Sequence, residues 1–191
     1  MTANATVGGA QKISNSEGGF AAHYTLSAYD HFGSSVASID LNSDGVSELV
    51  VGAPGGSYSS NDYTGAVYVL FLSTSGAAVT VQKISNSDGG LSAHYTPGSD
   101  DGFGTSVAPL GDMNGDKFLD LVIANACNGP CHANQLLLGD GNGTFDLQAE
   151  LPGDSNNSTT VALGDVNGDG SISATELEIV LGTGLDTLHV L

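Results

Sequence analysis

One stretch of this chain occurs twice: Gln11-Lys12-Ile13-Ser14-Asn15-Ser16 returns as Gln82-Lys83-Ile84-Ser85-Asn86-Ser87, and His23-Tyr24 returns as His94-Tyr95 at the same offset. The register runs on through Phe32-Gly33-x-Ser35-Val36 and Phe103-Gly104-x-Ser106-Val107. It then slips by one residue before Asp40-x-Asn42-x-Asp44 aligns with Asp112-x-Asn114-x-Asp116. A third copy begins at Val161. The chain therefore reads as one repeat region over 1–191, with approximate units 11–81 and 82–152 and an incomplete unit 153–191. Tandem repetition constrains the fold severely, because each unit is one supersecondary block that buries its apolar face only against a neighbour.

Within the first unit, Ser35 to Ile39, Glu48 to Gly52, Gly65 to Leu72 and Thr80 to Ser85 are short β-branched or aliphatic runs separated by Gly, Ser, Asn and Asp. Such runs between turn residues predict strands. The second unit predicts strands over Ser106 to Pro109, Leu119 to Ala124, Gln135 to Gly139 and Thr144 to Ala149, with Asp140-Gly141-Asn142-Gly143 as a hairpin turn. The third offers Thr160 to Gly164, a segment within Glu176 to Gly182, and Thr187 to Leu191. With 28 glycines and no Trp, the core is built from small side chains.

Phe32-Gly33, the acidic loop that follows, and Gly52-Ala53-Pro54 together resemble the signature of FG-GAP repeats, the blades of integrin α-chain propellers and of related bacterial and eukaryotic proteins. The second unit has Ala124-Asn125-Ala126 in place of Gly-Ala-Pro, and the third lacks Phe-Gly. The resemblance implies an all-β fold: a partial β-propeller of about two and a half four-stranded antiparallel blades, with room for a short helix near the C-terminus. A closed propeller needs more blades, so the expected partners include remaining blades in a longer chain or further copies of this one. The signature residues read as architecture, with the Phe packed between blades, the Gly allowing close backbone approach and Gly-Ala-Pro ending a strand. His23 and His94 recur with the blades and read the same way, and the Tyr58 to Tyr63 loop reads as exposed.

The chemistry of the chain lies in its acidic loops. Asp40, Asn42, Asp44 and Glu48 place side-chain oxygens at loop positions 1, 3, 5 and 9, Gly45 stands where the backbone must turn, and Val46 would offer its carbonyl. Calcium takes about six to eight oxygens at roughly 2.3–2.6 Å, which alternate side chains of a tight loop can supply. Asp112, Asn114, Asp116, the Phe118 carbonyl and Asp120 repeat the set, but Lys117 replaces the turn glycine, which predicts weaker binding. In the third loop Asp165, Asn167, Asp169, the Ser171 carbonyl and Glu176 match an EF-hand loop, and Ala174 to Leu181 could continue as a helix. No amphipathic helix precedes that loop, which favours a modified blade. The expectation is up to three Ca2+ ions with a stabilising role.

Twenty-one acids against Lys12, Lys83 and Lys117 give a net charge of −18. That charge excludes nucleic-acid binding and repels anionic membranes. No apolar run of about 18 residues predicts a membrane span, and no signal peptide is visible at the N-terminus. Cys127 and Cys131 lie close to His132, leaving a local disulfide, two free thiols or a metal site open. Sequons stand at Asn4, Asn142, Asn156 and Asn157, and chance explains most of them in so Asn-, Ser- and Thr-rich a chain.

No HExxH, Gly-x-Ser-x-Gly or GxxxxGK motif occurs, so the segment is expected to be no enzyme. Weak loop sites suit extracellular calcium, which points to an extracellular or cell-surface location. The integrin resemblance implies adhesion or recognition of a protein ligand. The alternatives are a multivalent carbohydrate-binding propeller, or non-catalytic accessory repeats of a secreted hydrolase such as a phospholipase D.

Overall fold

The computed structural model describes residues 10–55, 63–93, 96–126, 133–141, 144–150, 159–161, 178–179 and 189–190. Strands β1 (Ser35–Ile39), β2 (Glu48–Ala53), β3 (Ala66–Leu72) and β4 (Ala78–Ser85) form an antiparallel meander in that order. β5 (Phe103–Gly111), β6 (Asp120–Asn125), β7 (Gln135–Gly139) and β8 (Phe145–Glu150) repeat it. Each four-stranded sheet is one propeller blade, as the repeat predicts. β5 starts at Phe103, earlier than expected, because its first residues are tied to the neighbouring sheet: Phe103 N donates to Thr64 O at 3.0 Å, beside a parallel bridge between Gly65 and Phe103. The one-residue slip of the repeat appears as a register shift between Pro109 and Gly111, where β5 bulges against β6.

β9 (Glu178–Ile179) pairs antiparallel with β10 (His189–Val190). Within the segment Ala174 to Leu181, where the sequence allowed a helix, Glu178–Ile179 is extended, and the rest lies outside the described residues. A helix that short is marginal without packing, whereas Ile179-Val180 is β-branched and favours the pleat. The third acidic loop, with Asp165, Asn167, Asp169, Ser171 and Glu176, lies outside the described residues. So do Cys127, Cys131, His132, the sequon asparagines, His94-Tyr95 and Tyr58.

Alternation along β2 and β3 sorts the first blade's side chains onto two faces. Val50, Val67 and Val69 join Ala37 and Ile39 against Phe103, Val107, Leu121 and Ile123 of the second blade, forming the core between the sheets. Val51, Tyr68 and Leu70 point the other way, where the segment before β1 covers them with Phe20, Tyr24 and Phe32. There Phe20 and Phe32 have ring centroids 4.9 Å apart, and Tyr68 meets both edge-on at 5.4 and 5.6 Å, a favoured aromatic geometry. The far face of the second blade, with Ala108, Leu110 and Val122, packs against Val161 of the third unit.

The signature glycines form the joint between blades. A Cβ on Gly52 would lie 2.0 Å from Gly104 O, and one on Gly104 would lie 2.6 Å from Ala66 O. Gly104 has φ +90°, and its repeat counterpart Gly33 has φ +93° with nothing within 4 Å of the corresponding Cβ position. Ser35 adds a polar tie, donating from Oγ to Gly104 O at 2.9 Å. Its counterpart Ser106 accepts from Val161 N at 3.2 Å, so one repeat position links each blade to the next.

Candidate metal centre

Each of the two described acidic loops connects the first two strands of a blade, and strand pairing sets its mouth: Ile39 pairs with Glu48, and Gly111 with Asp120. In the first loop Asp40 accepts from Asp44 N at 3.1 Å and from Gly45 N at 3.0 Å. Asn42 Oδ1 accepts from Asp44 N at 3.0 Å, and Asp44 Oδ1 from Val46 N at 2.7 Å. Asn42 Nδ2 donates to Asp44 Oδ2 at 2.9 Å. These bonds wind the loop tightly and bring the side chains of positions 1, 3 and 5 together, while Gly45 (φ +85°) makes the sharp turn.

The second loop reproduces these bonds and adds one, from Gly115 N to Asp112 Oδ1 at 2.7 Å. Asp112 accepts from Asp116 N at 3.0 Å and Lys117 N at 2.8 Å, Asn114 Oδ1 accepts from Asp116 N at 3.0 Å, and Asp116 Oδ1 accepts from Phe118 N at 2.8 Å. Lys117 takes the turn position at φ +76°, so the left-handed geometry is kept with a side chain that disfavours it. The Phe118 ring lies over Gly141, where a Cβ would come within 2.1 Å of it, joining this loop to the neighbouring hairpin turn.

The position-9 acids differ from the rest of the loop in being buried. Glu48 is 1% exposed and Asp120 is fully buried. Glu48 Oε2 accepts from Leu41 N at 2.7 Å, and Asp120 Oδ2 from Met113 N at the same distance. Asp120 Oδ1 also accepts from Gly139 N of β7 at 2.9 Å, but Glu48 Oε1 is buried with no hydrogen-bond partner. Burial pushes the Glu48 carboxyl above the ordinary range, the Leu41 amide pulls it back, and the carboxylates of Asp44 and Asp40 raise it further. Asp120 is raised in the same way, by burial first, against the Gly139 and Met113 amides. A buried carboxylate with an unsatisfied oxygen beside two further acids is costly unless a cation joins them.

Among the described residues no three His, Cys, Asp or Glu side chains form a ready metal cage. Each loop's donor set includes an asparagine and a main-chain carbonyl, and its carboxylates are turned toward loop amides. All five predicted positions of each described loop lie together on one hairpin. The Gly139 contact and the Ser35 tie escaped sequence reasoning, although the serine's recurrence in the repeat was a usable signal.

By the alternation of the meander, the opposite end of the first blade carries the β2–β3 connection and the end of β4. A cleft of about 270 Å³ there is lined by Tyr24, Asp30, Tyr68, Lys83 and Ser85 among others. Lys83 pairs with Asp88 at 3.2 Å, and burial, then Asp30 and Asp88, push the Tyr68 hydroxyl up to about 12. Among the described residues no helix is long and apolar enough to cross a membrane.

Comparison with known proteins follows the same units. The family model described as FG-GAP repeat matches residues 32–70, and that described as FG-GAP-like repeat matches residues 112–172. The chain is 39% identical to integrin alpha-3 of Mus musculus over 93 residues, covering 49% of this chain and 8% of the relative. It is 38% identical to integrin alpha-IIb of Mus musculus over 112 residues, covering 56% and 10%. It is 31% identical to phosphatidylinositol-glycan-specific phospholipase D of Bos taurus over 117 residues, covering 61% and 14%. The chain thus spans a small part of the length of the relatives it matches.

Proposed function

Because this chain belongs to the FG-GAP repeat family, we propose that it is a calcium-stabilised, non-catalytic run of propeller blades serving recognition of a protein partner at the cell surface or outside the cell. The observation that carries the calcium reading is the buried Glu48 carboxylate, whose Oε1 lacks a partner beneath a loop that gathers Asp40, Asn42 and Asp44. Calcium would be held by those four side chains and the Val46 carbonyl in the first loop, and by Asp112, Asn114, Asp116, Asp120 and the Phe118 carbonyl in the second. The third loop would supply a third site. Bound calcium neutralises the converging carboxylates and fixes the β1–β2 and β5–β6 connections, so it stabilises the folded state by mass action.

Recognition belongs to the other end of the first blade, where the cleft beside Tyr68 is open to a partner. The integrin likeness favours adhesion. The match to a phospholipase D supports a second reading, in which these blades are accessory to a catalytic domain elsewhere in a longer protein.

The test is thermal unfolding followed by circular dichroism in chelator, in millimolar magnesium and in millimolar calcium. The expected outcome is a midpoint raised by several degrees by calcium and not by magnesium, since about 2.7 kcal/mol is gained at a hundredfold excess over Kd. An unchanged midpoint in a folded protein would remove the calcium reading.

A further inference from the structure

We propose that Asn114 is a site of spontaneous deamidation, through a succinimide closed by the Gly115 main-chain nitrogen, and that the second acidic loop thereby carries a slow chemical change which the first resists. The reaction needs the nitrogen of the following residue to reach the asparagine Cγ. A side chain on that following residue obstructs the approach, and glycine has none. Asn114 is followed by Gly115, while its counterpart Asn42 is followed by Ser43. Asn114 and Gly115 are both exposed, and nothing lies within 4 Å of the Cβ position of Gly115. The glycine side of the peptide therefore carries nothing that obstructs ring closure.

The amide proton also has somewhere to go. Gly115 N donates to Asp112 Oδ1 at 2.7 Å, which points that proton at a carboxylate. Asp40 in the first loop takes the amides of Asp44 and Gly45, as Asp112 takes those of Asp116 and Lys117, but no bond from Ser43 N to Asp40 matches the one from Gly115. On the leaving side, Asn114 Nδ2 donates to Asp116 Oδ2 at 2.7 Å, a second acidic group beside the departing nitrogen. The N–Cγ bond forms as the Gly115 nitrogen gives up its proton to water, and the Cγ–Nδ2 bond breaks as Nδ2 takes a proton from water and leaves as ammonia. Water then opens the ring, at Cγ to give aspartate or at the main-chain carbonyl to give isoaspartate. Net, one water is consumed and one ammonia released, with no oxidant or reductant.

The consequence for the loop rests on the calcium reading above. Aspartate at position 114 replaces a neutral ligand by an anionic one, whereas isoaspartate lengthens the main chain within the loop and displaces the oxygens of Asp112 and Asp116 from each other. Calcium held by the Asn114 oxygen would slow the first step.

The experiment is incubation of the intact chain at mildly alkaline pH in chelator and, in parallel, in calcium. Tandem mass spectrometry reads the amide-to-acid mass gain, and isoaspartyl methyltransferase labels the rearranged product. Position 114 is expected to convert at least about tenfold faster than position 42, a difference of roughly 1.4 kcal/mol in barrier, and Gly115→Ala is expected to bring it down to the rate at Asn42. Asn114 staying intact in chelator, or converting no faster than Asn42 in the unaltered chain, overturns the proposal whatever calcium does. Fast conversion that calcium fails to slow upholds it and counts against calcium binding at this loop.

Discussion

Replacing Gly33 and Gly104 by alanine, one at a time, isolates the joint between blades from the conformational demand of the glycine itself. The two residues occupy the same place in the repeat with φ of +93° and +90°. Each alanine therefore carries a similar left-handed penalty of about 1–2 kcal/mol. At Gly33 nothing else is disturbed. At Gly104 the new Cβ would stand 2.6 Å from Ala66 O and 3.0 Å from Val67 Cγ2, where ordinary contacts are 3.4–4 Å. The carbonyl belongs to β3 and is held by the sheet, so relief requires the two sheets to separate, with an overpacking cost of about 1–3 kcal/mol. Gly104→Ala should thus be less stable than Gly33→Ala by about 1–3 kcal/mol, or roughly 2–12 °C in Tm for a chain of this size. Urea unfolding at fixed calcium, followed by circular dichroism and extrapolated linearly to water, measures the difference. Equal losses for the two variants would mean that the glycine serves only backbone conformation, and the close approach of the blades would lose its energetic meaning.

Glu48→Gln should reverse its sign with the ion. The folded pKa of Glu48 is raised above 4.5, so the metal-free folded state holds the proton more readily than the unfolded state. The resulting instability develops as pH rises from about 4.5 through the raised value and is complete above it. In chelator at neutral pH the glutamine variant should therefore unfold at a higher temperature than the parent. In calcium it should unfold at a lower one, with the calcium-induced rise cut by about half or more. Destabilisation under both conditions would argue against a cation at this carboxylate. Lys117→Gly should raise Tm in chelator by about 2–4 °C through relief of left-handed strain, and calorimetric titration should show tighter calcium binding with the ammonium removed. An unchanged second-loop affinity would refute the electrostatic part of that reasoning.

The spacing of oxygens along the chain made the loops legible, because a hairpin loop places its ligands by local winding alone. The left-handed turn at Lys117 was legible for the same reason: a fixed loop position demands it. What sequence could not convey is which residues meet across the fold. Phe32 and Phe103 hold one repeat position, yet Phe103 is fully buried between two sheets while Phe32 is half-buried among Phe20, Tyr24 and Tyr68. Nothing local distinguishes them. Likewise Asp120 gains a bond from Gly139 that Glu48 has no counterpart for, because the longer side chain ends elsewhere. The extended chain at Glu178–Ile179 was hidden by an EF-hand-like spacing that permits a helix without requiring one.

The bulge between Pro109 and Gly111 bears on how such a chain tolerates changes of length. A single added residue would ordinarily turn a strand inside out from that point onward. Here the excess is absorbed at Leu110, and pairing is regained at Gly111 opposite Asp120, so the acidic loop keeps its mouth. The extra residue is not idle, since Leu110 is fully buried beside Val161. Insertions at this spot can therefore enlarge the seam toward the following unit without touching the seam toward the preceding one, so successive units can diverge in fit while their loops stay in step.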